Sequence, residues 1–153
     1  MKLITPYYKK QAGIILLEGL IAILIFSMGI LAIVGLQGAS IRNSADAKYR
    51  ADASTLANEI IGQMWADQAN LAAYAHNPVS VAGTPCGPTV GASTNANVTN
   101  WLTNVAASLP QVATIRQQII VVPITNLVTV TVCWQGPQDT APHNLVTVAQ
   151  INS

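Results

Sequence analysis

The sequence predicts an α+β protein in which one long N-terminal helix packs against a small C-terminal antiparallel sheet. Three observations support this fold class. An apolar run begins at residue 14, a stripe of apolar residues at helical spacing continues it to about residue 74, and the last third alternates apolar and polar residues as strands do. Its 153 residues suffice for one domain of ordinary size. A helix followed by a run of strands is typical of α+β proteins.

Charged residues are scarce, at 8% of the chain against about 25% in a typical soluble domain. Seven Lys and Arg stand against six Asp and Glu, and three of the bases, Lys2, Lys9 and Lys10, come before residue 13. No basic patch follows them, so we do not expect nucleic acid as a partner. The composition favours contact with a membrane instead.

The apolar run extends from Ile14 to Leu36, with Glu18 as its only charged residue. At about 1.5 Å per residue, a helix of about 23 residues reaches roughly 34 Å, enough to cross a hydrocarbon core of about 30 Å. Lys9 and Lys10 stand directly before it, so the positive-inside rule favours an inside N-terminus and an exported C-terminal part.

Three interpretations of this segment compete. The run is too long for a cleaved secretory signal, whose apolar core has about 7–15 residues. An uncleaved membrane anchor explains the length and the flanking lysines. It does not explain Glu18, because a carboxylate costs up to roughly 2.5–3.5 kcal/mol inside a membrane helix. The third interpretation rests on the local pattern KKQAGIILLEGL, in which Glu18 is the fifth residue after Gly13.

This pattern resembles the class III leader of type IV prepilins. The resemblance implies that residues 1–13 are a leader and that prepilin peptidase cuts between Gly13 and Ile14 at the inner membrane, leaving residues 14–36 on the mature protein. It also implies that Glu18 pairs with the α-amino group of a neighbouring subunit during assembly. Such a pair is physically reasonable, since opposite charges in a low dielectric relieve each other's desolvation only when both are present.

Residues 37–74 continue the helix as an amphipathic segment. Apolar residues recur there at steps of three and four: Tyr49, Ala53, Leu56, Ile60 and Met64. We expect one helix from about residue 14 to about residue 74, with this stripe covered by residues 75–153 as part of one globular domain. Residues 75–100 are rich in Pro, Gly, Ser, Thr and Asn and predict a loop, followed by a short helix around Val98–Leu109.

The last third predicts strands in IRQQIIVV, NLVTVTVCWQ and NLVTVAQI. Within the second of these, Val128, Val130, Val132 and Trp134 share one face, which we expect to meet the helix stripe. Cys133 lies on the opposite face. The loop region that contains Cys86 should therefore cross the side of the sheet away from the helix if the two cysteines are joined.

Cys86 and Cys133 are the only cysteines, and an exported domain lies in an oxidising compartment. We expect one intramolecular disulfide, with two free thiols as the alternative. A metal site made by both cysteines with His76 and His143 matches no known ligand spacing. No catalytic motif is visible, so the sequence predicts neither an enzyme nor a cofactor.

The order of these segments, ending in VTVTVCWQ, resembles the PilV-like minor pilins of the type IV pilus modification group. That resemblance implies a pilin-like fold and a subunit that helps to initiate pilus assembly and sits in or near the tip. Its partners would be prepilin peptidase, other minor pilins and the major pilin. A minor pseudopilin of type II secretion shares the same start and is the alternative within the superfamily. An uncleaved membrane-anchored binding module is the alternative outside it.

Overall fold

The computed structural model describes residues 12–80, 86–87, 89–112 and 117–152. The elements follow in the order α1 (Ala12–Ala66), a 3₁₀ helix (Gln68–Tyr74), β1 (Val79–Ser80), β2 (Thr89–Val90), α2 (Ala96–Ser108), β3 (Gln118–Val122), β4 (Leu127–Trp134) and β5 (His143–Gln150). The predicted α+β arrangement is confirmed. Of the predicted leader, residues 1–11 with their three lysines lie outside the described residues.

The chain divides between Asn43 and Ser44 into two units. In the first unit, helix α1 is exposed along its whole described length from Ile14 onwards. The helix that starts there is long and apolar enough to cross a membrane, with a mean hydropathy of 2.7 in its most apolar window. The predicted capacity of residues 14–36 to span a bilayer is therefore present.

The α-helix ends at Ala66, so the predicted extension to about residue 74 is wrong. Asp67 leaves the helical conformation, with φ −126° and ψ 49°. Its carboxylate accepts hydrogen bonds from the side-chain amide of Asn70 at 2.7 Å and from the Tyr74 hydroxyl at 3.2 Å. Asp and Asn side chains compete with helical hydrogen bonds in this way. The chain tightens into the 3₁₀ helix, whose period of about three residues keeps Leu71 and Tyr74 buried on one side.

The core of the second unit lies between α1, α2 and one face of the sheet. It contains the predicted helix stripe and, as predicted, the Val and Trp face of β4. The core includes Leu56, Ile60 and Met64 from α1, Val98, Trp101 and Val105 from α2, and Val128, Val130, Val132 and Trp134 from β4. The indole N–H of Trp101 donates to the carbonyl of Leu56 at 2.8 Å, which fixes α2 against α1.

The sheet is antiparallel with the order β3-β4-β5, so β4 is central. Ile119 pairs with Val130, which in turn faces Thr147 of β5. The region predicted as a loop also contains a two-stranded sheet, in which Val79 pairs with Val90 and Ser80 with Thr89. Strands of two residues are too short to show alternation in the sequence. Helix α2 begins after Asn95, whose side chain caps it by accepting from the N–H of Asn97 at 2.8 Å.

Candidate functional site

The apolar segment Ile14–Leu36 is not covered by its own chain within the described residues. Sixteen of its large apolar side chains are exposed, from 47% for Ile30 to 72% for Leu31. Burying one such side chain contributes about 1.5–3 kcal/mol, so the whole set amounts to on the order of 20 kcal/mol or more. A folded domain has a net stability of only about 5–15 kcal/mol. Covering the segment with lipid or with other protein chains would remove this apolar surface from water.

Glu18 lies within this apolar surface on α1. Its surroundings are the side chains of Ile14, Leu17, Ile21, Ala22 and Ile25. Its carboxylate makes no hydrogen bond or ion pair with any residue that the structure describes. Covering the segment would remove water from this carboxylate without supplying a partner from the described chain. Among the described residues, the chain itself therefore offers this carboxylate no partner.

The predicted cleavage position, between Gly13 and Ile14, lies near the beginning of the described part of α1. Ile14 precedes Glu18 by four residues, so the two lie on one face, about 6 Å apart along the axis. The structure thus brings the predicted cleavage site and Glu18 together at one end of the apolar segment.

Cys86 and Cys133 are joined by a disulfide, with 5.7 Å between their Cα atoms. Both half-cystines are buried, at 8% and 1% exposure. Cys133 is next to Val132 and Trp134 but stays outside the hydrophobic core cluster that contains them. The bridge therefore attaches to β4 on the face that points away from the helix stripe, as the strand alternation predicted.

The residues weighed as metal ligands are engaged in other contacts. The disulfide occupies both cysteines, and the Nδ1 atom of His76 accepts a hydrogen bond from the N–H of Ser93 at 3.1 Å. The Nε2 atom of His143 lies 3.1 Å from the carboxylate of Asp139. No group of three or more His, Cys, Asp or Glu that could hold a metal ion occurs in the described part of the chain.

Two polar residues that position the sheet were not identified from the sequence. The main chain of His76 pairs with Ile119 through two hydrogen bonds of 3.0 and 2.8 Å, which engages the outer edge of β3. Gln117 is fully buried and bonds through its side chain to the main chain of Cys133. Neither residue belongs to a motif, so only the folded chain reveals these roles.

Comparison with protein-family models, with curated proteins and with solved structures gives no match for this chain. Function therefore has to follow from the residues and the geometry of the chain itself. Two features are available for it: the exposed apolar segment with Glu18 near one end, and the separately cored second unit with its disulfide.

Proposed function

We propose that the protein is a minor pilin, which helps to initiate type IV pilus assembly and sits in or near the pilus tip. One observation carries the proposal. The exposed apolar segment Ile14–Leu36 has Glu18 as its single charge and directly follows the sequence KKQAG. A plain anchor needs the apolar residues but gains nothing from a carboxylate among them.

In this proposal prepilin peptidase removes residues 1–13 and leaves an α-amino group on Ile14. The corresponding α-amino group of a neighbouring subunit would pair with Glu18. Each of the two charges would neutralise the other when they leave water. Because an unpaired charge is costly in a low dielectric, the pair favours one axial position of each helix against the next. The exported second unit would then contact other minor pilins and the major pilin.

Sequencing the N-terminus of the mature protein from its native host tests the proposal. The expected first residue is Ile14. A Gly13→Val variant serves as the matched control, since the apolar segment is unchanged while the cleavage position is blocked, and it should keep Met1. An intact Met1 in the wild-type protein would contradict the proposal. So would a start beyond Ala47, the last residue of the Ala-x-Ala pattern that lies nearest to the apolar segment.

A deletion strain separates the pilin from the pseudopilin of type II secretion, because both share the same N-terminal pattern. Loss of surface pili and twitching motility is expected for the minor pilin. Loss of enzyme secretion with intact pili would favour the pseudopilin. If neither process changes, the uncleaved binding module is favoured.

A further inference from the structure

Strand β5 is an edge of the three-stranded sheet, and the hydrogen bonds of Cys133 show how its main chain is oriented. The N–H and C=O of Cys133 both bond to Gln117, on the β3 side of β4. Successive residues in an antiparallel ladder point alternately to the two sides, so Val132 and Trp134 face β5. Their partners Leu145 and His143 point back to β4.

The main-chain groups of the intervening residues, Asn144, Val146, Val148 and Gln150, consequently point out of the sheet. None of these N–H or C=O groups is bonded to another part of the described chain. The opposite edge differs, since the main chain of His76 is hydrogen-bonded to the main chain of Ile119 in β3. Among the residues that the structure describes, strand β5 is therefore an open edge that is eight residues long.

The middle of this edge is apolar, and the strand itself contains no Asp, Glu, Lys or Arg. Val146 and Val148 are 50% and 57% exposed, and Val122 of β3 is 39% exposed on the same face. Strands β3, β4 and β5 contain no Asp, Glu, Lys or Arg, and the pairing of β5 with β4 is unbroken over eight residues. Exposed edges are usually protected by charges, prolines or bulges. None of these protections is present along β5.

We propose that the open edge of β5 receives a β-strand from a different exported subunit of the same assembly, an inference that rests on the proposed function. The outward N–H and C=O groups select an extended partner. The absence of charge selects an uncharged one, because a charged strand would lose hydration here without gaining a counter-charge.

A second copy of this chain fits the edge less well. Two β5 strands pair antiparallel about a two-fold axis perpendicular to the sheet, which reverses the direction of every element that lies along it. Residues 44–66 of α1, packed on the sheet, would then run in opposite directions in the two copies. Membrane insertion as proposed requires all copies of α1 to run the same way.

Site-specific photocrosslinking of the full-length protein in its native host tests this inference. A benzophenone amino acid replaces Asn144, Val146 or Val148, one at a time, and exposed Ala106 on α2 serves as the control position. We expect adducts with one other exported subunit from the β5 positions, at least tenfold above the control. When the crosslinker moves by two residues along β5, its attachment point on the partner should also move by two residues, always in the same direction, as in a strand pair. A dimer adduct of this chain, adducts without that step, or no adduct would overturn the proposal.

Proline substitution separates docking from folding. Val146→Pro removes an outward N–H only, whereas Thr147→Pro removes an N–H that faces β4. Val146→Pro should keep the disulfide and the protease resistance of the wild type, yet lower the adduct yield from position 148 at least tenfold. Thr147→Pro should lose protease resistance. If Val146→Pro fails to fold, Val148→Lys takes its place, with the crosslinker at position 146. This variant should likewise keep protease resistance and lower the adduct yield at least tenfold.

Edge pairing and the proposed function fail in different ways. A folded edge variant could give as much adduct as the wild type while sheared pili still contain the protein. That result would overturn edge pairing and leave the minor-pilin function intact. A protein that keeps Met1 and is missing from pili would overturn the proposed function instead.

Discussion

The side-chain amide of Gln117 takes the place of a strand residue beside Cys133. Its Nε2 donates to the Cys133 carbonyl and its Oε1 accepts from the Cys133 N–H, both at 2.9 Å. Both residues are buried, at 0% and 1% exposure. Strand β3 begins only at Gln118, so this amide satisfies main-chain groups that would otherwise be unpaired beside the disulfide.

We expect Gln117→Leu to lower the free energy of unfolding by about 2–6 kcal/mol. The substitution leaves one buried N–H and one buried C=O without partners, each at a cost of about 1–3 kcal/mol. Urea unfolding of the full-length protein in detergent, followed by tryptophan fluorescence, measures the change. Gln138→Leu at an exposed turn position is the matched control and should change stability by less than about 0.5 kcal/mol. Equal stability of the two variants would contradict a structural role for the Gln117 amide.

Removing the disulfide should destabilise the second unit and release its loop region. The bridge spans a sequence separation of 47, for which the chain-entropy model gives roughly 4 kcal/mol as an upper value. We expect the double variant Cys86→Ser/Cys133→Ser, which leaves no unpaired thiol, to be cleaved first by protease within residues 75–100. Non-reducing mass spectrometry of the wild type should show the two cysteine peptides linked. Two alkylatable thiols in protein from the oxidising compartment would contradict the bridge.

Tyr74 should make the protein less stable at alkaline pH. Burial raises the pKa of this phenol, a hydrogen bond from Asn97 at 2.6 Å lowers it, and the Asp67 carboxylate raises it further, so that the pKa is raised in total. The folded state then holds the proton more tightly than the unfolded state. The stabilisation that protonated Tyr74 gives the folded state is complete below the unfolded pKa of about 10. It is lost as the pH rises through the higher folded pKa.

The expected result is a free energy of unfolding that falls above about pH 10, by at most about 1.4 kcal/mol per pH unit from this group. Tyr74→Phe should flatten that decrease while costing about 1 kcal/mol at neutral pH through its lost hydrogen bonds. Urea titrations between pH 7 and pH 11 measure both effects. An unchanged alkaline slope in Tyr74→Phe would refute the assignment.

Glu18→Ala should separate membrane insertion from assembly. Replacing a carboxylate by a methyl group within the apolar segment favours insertion, so the protein should still reach the membrane. Its amount in sheared pili should fall at least tenfold, because the amino group of the neighbouring subunit loses its partner. Immunoblots of membrane and pilus fractions measure this ratio. Asp46→Ala, an exposed acid on α1 beyond the apolar segment, should assemble normally, and normal assembly of Glu18→Ala would reject the pairing role.

The sequence by itself determined the features that depend on local periodicity. The apolar run after Gly13, the stripe through Leu56 and Ile60, and the alternation of β4 are visible because a helix repeats every 3.6 residues and a strand every two. The same alternation placed Cys133 on the face away from the core. Composition and the expected export predicted the disulfide, because only two cysteines are available.

Only the tertiary structure decided the features that depend on residues distant in the chain. Helix α2 is fixed against α1 because the Trp101 indole N–H reaches the Leu56 carbonyl, 45 residues earlier in the chain. The outer edge of β3 is engaged at Ile119 because His76 reaches it across more than forty residues of sequence. Such contacts depend on the distances between folded segments, and no spacing within a single segment encodes them.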